Sequence, residues 1–207
     1  MVRYLFSNTI SNGVNFLSRW LFNYGLARFM SLSEFGIFSF ISSLANLFKS
    51  FMSFGGQLYL IYKVSKATDQ KYYYYLKSSL LSVIIALVIS LCLFFVKIFN
   101  QEIINTNHFL FAVLLGSFMV LIQNTYSFFK GSGAFVKEAK GYFIFLTLIV
   151  CSLICFQYNL LVPSLINILI IVLCIHILLF IFSTFQLFFY YKKDNSTKEI
   201  GKIINDM

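Results

Sequence analysis

The order of apolar and polar positions along the chain sets the architecture. Six stretches have the roughly 20 mostly apolar residues that a helix needs to cross hydrocarbon: about 7–29, 35–61, 78–98, 108–129, 141–158 and 163–191. Runs such as LSVIIALVISLCLFFV are unbroken, whereas the strands of a membrane barrel alternate apolar and polar positions. The connections MSLSE, YKVSKATDQKYYYYLK, NQEIINTNH, KGSGAFVKEAKG and NLLV are short. Pro163, the lone proline, is expected to open the last helix, where a missing N–H costs nothing. Gly55-Gly56 and Gly131/Gly133 read as helix breaks or caps. The pattern predicts an all-α, polytopic integral membrane protein, with a six-helix transmembrane lobe over 1–191 and a polar tail or linker over 192–207.

Two of the spans are striped. At about 100° per residue, Asn8, Asn12, Asn15, Arg19 and Asn23 fall within roughly an 80° arc of the first helix. In the second, Ser39, Ser42, Ser43, Asn46, Lys49, Ser50, Ser53 and Gln57 cover roughly a 120° face. The remainder of each helix is Phe, Leu and Ile, so the stripes must turn away from lipid. A Lys or Arg at mid-bilayer costs about 2.5–3.5 kcal/mol on insertion scales. Arg19 and Lys49 therefore point to a shared wet cavity for an anion, with Asn12, Asn15, Asn23, Asn46, Ser50 and Gln57 around it. The Ser and Asn pattern also suits hydrogen bonding across packed helices. The fourth span adds a weaker stripe of Ser117, Asn124 and Ser127, with Gln123 beside it. The third offers Ser79, Ser82, Ala86 and Ser90 for close packing. The fifth, almost wholly apolar, is expected to face lipid.

Composition agrees that the solvent is lipid: 59% of residues are hydrophobic and 11% charged, with mean hydropathy +0.83. Soluble domains carry roughly 25% charged residues. The net charge of +9 belongs to loops. Of the 16 Lys and Arg, 12 fall on the side of the chain ends, 2 (Arg28 and Lys97) on the other, and 2 (Arg19 and Lys49) within spans. Basic loops mark the cytoplasmic face, so both termini are expected there. Tyr72 to Tyr75, Tyr190 and Tyr191 flank the basic turns, at the depth tyrosines prefer.

Other chemistry is sparse. All seven acidic residues are expected in loops or the tail. That leaves His176 as the one span residue able to titrate near neutral pH, a possible coupling group or a packed histidine. Cys92, Cys151, Cys155 and Cys174 lie in apolar runs without metal-ligand spacing, so no metal and no cofactor is expected. Membrane enzymes need carboxylates or histidines paired at the reacting centre. No such pair is visible, and the chain is not expected to be an enzyme.

Three segments carry a resemblance. LARFMSLSEFGIFSFISSLANLF (26–48), FGGQLYLIYKVSK (54–66) and FFKGSGAFVKEAKGYFIF (128–145) resemble, in order and spacing, the first helix turn, the second helix end and the basic turn between helices 4 and 5 of the polysaccharide flippases. These are O-antigen and repeat-unit exporters within the multidrug/oligosaccharidyl-lipid/polysaccharide superfamily. The turn at Glu34, Phe35 and Gly36 lacks the proline often found before the acid. The resemblance implies one lobe of a two-lobed flippase fold in the bacterial cytoplasmic (inner) membrane. It implies that Arg19 and Lys49 receive an undecaprenyl-pyrophosphate-linked oligosaccharide, which alternating access carries across the bilayer. Members have twelve to fourteen helices; this chain matches the N-terminal six. Its expected partner is a C-terminal lobe as a separate chain, or a second copy in a parallel homodimer. The alternative is a truncated, non-transporting remnant or structural membrane subunit.

Overall fold

A computed structural model describes the backbone of residues 2–67, 70–99 and 106–205, and the side chains of 9–67, 70–95 and 107–191. The side chains of Arg3, Asn8, Lys97 and the tail after Tyr191 lie outside the described residues, as do Asp69 and Glu102. The described chain is all helix: α1 (Val2–Phe29), α2 (Leu32–Ser53), α3 (Gly56–Lys66), α4 (Lys71–Phe99), α5 (Thr106–Gly131), α6 (Phe135–Gln157) and α7 (Leu165–Asn205). Five of them, α2 and α4 to α7, are long and apolar enough to cross a membrane. The chain is a multi-pass membrane protein. α1 is 28 residues long, ample for a span, but its asparagine stripe keeps it out of that apolar set.

The predicted second helix is two helices. Phe54 (φ 36°) and Gly55 (φ 71°) both adopt left-handed backbone, which ends α2 and starts α3. Glycine enters that region without a Cβ penalty. The turn before α2 is closed by a capping box: Ser31 Oγ accepts from the Glu34 N–H, and the Ser31 N–H donates to Glu34 Oε2 at 3.3 Å. The acid of that turn is thus a helix cap. Pro163 lies ahead of the last helix rather than within it; α7 begins at Leu165, with Ser164 Oγ accepting from the Asn167 N–H. The helix then continues to Asn205, through the stretch expected as a polar linker.

α5 is the central helix, packed against α2, α3, α4 and α7. Gly116 makes the closest approach possible: a Cβ there would lie 2.8 Å from the Ala45 carbonyl oxygen of α2. α1 instead packs along α6. Gly25 abuts Leu153, and Phe29 meets Phe156 at 6.0 Å, so the two helices run parallel. α1 and α2 barely touch. One core cluster gathers around Leu26, Phe38, Ile41, Leu115, Phe156 and Ile168. A second surrounds Leu60, Tyr75, Phe128, Phe129, Ile149 and Leu187. The outside is apolar too. Leu80, Ile84, Leu87, Leu91, Phe94 and Phe95 of α4 are all exposed, the face lipid would cover.

Two expectations change here. α6 does not face lipid all round: Phe143, Val150 and Ile154 are exposed, but the opposite side packs on α1 and reaches the interior. Glu138 is not in a loop. It sits in the first turn of α6 with 1% of its surface exposed, its Oε1 3.0 Å from the Lys130 ammonium at the end of α5. The helix begins six residues before the apolar run at 141, because the turn is closed early by Gly133 (φ 74°).

Candidate functional site

Between the two core clusters lies a cavity of about 230 Å³. α1 contributes Asn15, Arg19, Phe22 and Asn23, and α2 contributes Phe38, Ser42, Asn46 and Lys49. α5 adds Gln123 and Tyr126, α6 adds Tyr142 and Phe145, and α7 adds His176. Both cations of the striped helices therefore open onto one space. This follows from the helical period: Asn15, Arg19 and Asn23, then Ser42, Asn46 and Lys49, recur every three or four residues and occupy one face.

Arg19 is exposed, and its Nε donates to Asn15 Oδ1 at 3.3 Å, one turn back. The guanidinium also interacts electrostatically with Lys49, Tyr142 and His176. Lys49 is half-buried. Neither cation has a carboxylate partner among the described residues. Two positive charges lining one cavity repel, and an anion bound between them relieves that repulsion. Asn46 spends its Nδ2 on the Ser42 carbonyl (2.9 Å), leaving Oδ1 as an acceptor. His176 is buried against Phe145, and its Nδ1 sits 2.8 Å from the Val172 carbonyl. A carbonyl only accepts, so Nδ1 carries the proton and Nε2 is an acceptor.

Four of the residues assigned to the cavity from sequence stand elsewhere. Asn12 is exposed on α1, below the cavity lining. Ser50 is exposed and returns its hydroxyl to the Asn46 carbonyl at 2.9 Å. Gln57 lies beyond the Phe54–Gly55 break, on α3. Asn124 is fully buried between helices, its Nδ2 donating to Ser82 Oγ of α4 at 3.2 Å. Arg19, Lys49, Asn15, Asn23, Asn46 and His176 are brought together. Tyr126 and Tyr142, with rings 5.1 Å apart, were not legible as site residues. They lie outside the asparagine and serine stripes of α1 and α2, and nothing in the sequence around them marks a cavity.

The lining combines two unpaired cations with amides, hydroxyls and a phenylalanine wall. It can hold an anionic group and hydrogen-bond a polar substituent beside it. No curated protein and no solved structure matches the chain. The family model described as polysaccharide biosynthesis protein matches residues 1–133. That stretch holds α1 to α5 and both cavity cations, and with most of its length matched the chain belongs to the polysaccharide biosynthesis protein family.

Proposed function

We propose that this cavity receives the diphosphate and first sugar of a lipid-linked oligosaccharide, which the protein flips across the bacterial cytoplasmic membrane by alternating access. The chain acts as one lobe of a transporter with no catalytic step. Both termini lie in the cytoplasm, and α1 serves as a sixth span. The reading rests on one observation: Arg19 and Lys49 converge on a single cavity without a carboxylate. A diphosphate supplies the missing charge, and Arg matches its oxygens in bidentate geometry. Asn15, Asn23, Asn46 and Gln123 suit sugar hydroxyls. At about 230 Å³ the space is smaller than the roughly 300–1,000 Å³ of sites that enclose a drug-sized ligand. It fits a headgroup, with further sugars and the prenyl tail outside.

The test is binding of farnesyl diphosphate to the full chain in lipid nanodiscs. Arg19→Ala and Lys49→Ala should each weaken it about 10-fold or more, the loss of one charged hydrogen-bonding partner. Farnesyl monophosphate should bind more weakly than the diphosphate, and farnesol not at all. Equal binding of all three, or binding indifferent to both substitutions, would overturn the reading.

A further inference from the structure

Among the described residues, Glu138 is the buried carboxylate, and the cavity reading leaves its chemistry unused. Its carboxylate is 1% exposed. Lys130 Nζ, partly open to solvent, lies 3.0 Å from Oε1, and no described group donates a hydrogen bond to Oε2. One turn along α6, Gly141 leaves room for the Tyr126 hydroxyl; a Cβ at 141 would overlap it. That hydroxyl is also buried and without a hydrogen-bond partner. Tyr126 and Tyr142 both interact electrostatically with Glu138, and both line the cavity. Tyr142 interacts in turn with Arg19.

The groups around the carboxylate come from each packed helix. α5 brings Lys130 and Tyr126, and α6 brings Tyr142. Lys137 of α6 is turned away: its ammonium lies over the rings of Phe129 and Tyr190 and donates to the Gln186 carbonyl of α7. α7 offers His176 on the cavity side. On α1, Ser11 and Ser18 are buried, and Arg19 lines the cavity together with Tyr142. A lone carboxylate thus stands between one cation toward solvent and an unpartnered hydroxyl toward the cavity.

We propose that Glu138 is a proton-binding site linked to anion binding in the cavity. Resting on the headgroup reading above, the linkage works through two arrangements of one side chain. Ionised, the carboxylate pairs with Lys130. When an anion enters between Arg19 and Lys49, it adds negative charge to the cavity lined by Tyr126 and Tyr142, the two rings that interact with Glu138, and so disfavours the ionised carboxylate. Glu138 then takes a proton from solvent on the Lys130 side. Departure of the anion returns the proton to solvent. Linkage is reciprocal, so protonation of Glu138 strengthens anion binding by the same factor.

The experiment is an infrared pH titration of the full chain in nanodiscs, following the C=O stretch of protonated carboxyl groups. The wild type should show a band that Glu138→Gln removes, and absence of such a band overturns the proton site. Lys130→Met should move its half-titration point up by about 1 pH unit, the loss of one adjacent cation. That variant carries the assignment should Glu138→Gln fail to insert, an unmoved band then overturning it. Farnesyl diphosphate should shift the wild-type titration upward by a similar step. Bound probe with an unmoved titration overturns the linkage and leaves the headgroup reading standing. A probe that does not bind at all overturns the headgroup reading and the linkage together, while the band still decides the proton site.

Discussion

Gln123 and Asn124 are neighbours on α5 and have opposite fates. About 100° of rotation separates them. Gln123 opens onto the cavity, and Asn124 is buried against Ser82 of α4. Spacing in the sequence aligned Asn124 with Ser117 and Ser127 and set Gln123 aside, because a stripe locates a polar face without saying whether water or another helix meets it. Interhelical hydrogen bonds in membranes average about 0.6 kcal/mol. Asn124→Ala should therefore lower stability by about that amount, measured by thermal unfolding in detergent, with farnesyl diphosphate binding unchanged. Gln123→Ala should do the reverse, weakening binding severalfold and leaving the unfolding midpoint within error. The positions of Arg19 and Lys49 were legible for a firmer reason. A charged residue in an apolar helix has few tolerable destinations, so its environment is nearly fixed by its identity.

At the scale of elements, the spans followed from hydrophobic runs, and their ends did not. α4 starts at Lys71 and α6 at Phe135, both before the apolar stretches that marked them. Polar and tyrosine-rich turns add helix without adding hydrophobicity. That extension is what carries Glu138 into a buried first turn. The Phe54–Gly55 break was signalled by the glycine pair, and it removes Gln57 from the face it shared with Lys49. The α2–α5 contact was signalled by nothing, because Gly116 looks like any glycine in a span. Adding a side chain there tests the contact. Gly116→Val would press on the Ala45 carbonyl and on the Lys49 amide nitrogen, 3.3 Å from the new Cβ. Overpacking of this kind costs about 1–3 kcal/mol. It should also weaken farnesyl diphosphate binding, since the displaced turn carries Lys49. Gly36→Ala is the matched control. Nothing lies within 4 Å of a Cβ at 36, and in a helix the exchange should raise stability by up to about 1 kcal/mol. Equal unfolding midpoints for the two variants would show that α2 does not lie this close to α5.

For the whole molecule, the decisive feature is which surface is polar. α4 shows lipid a continuous row of Leu, Val, Ile and Phe. α1 exposes Asn12, Arg19 and Asn23 beside Phe16, Trp20 and Tyr24, with the last two rings stacked 5.5 Å apart. A guanidinium and two amides in contact with acyl chains would cost several kcal/mol. A covering body removes that cost. Two lobes related by an axis along the membrane normal share one topology, so either a second copy of this chain or a separate lobe meets the requirement. Cysteine chemistry in native membranes distinguishes a covered face from a lipid face. In a background with Cys92, Cys151, Cys155 and Cys174 replaced by serine, Asn12→Cys should give a cross-linked product with a short bifunctional maleimide. Leu87→Cys, 60% exposed on α4, should give none and should instead react with a lipid-phase reagent. A product at twice the mass of the chain identifies a second copy, and any other mass a different partner. If Asn12→Cys is labelled from the lipid phase as readily as Leu87→Cys, the polar side of α1 lies against acyl chains. The cavity between α1 and α2 then has no second wall, and a lobe that encloses a headgroup cannot be built from it.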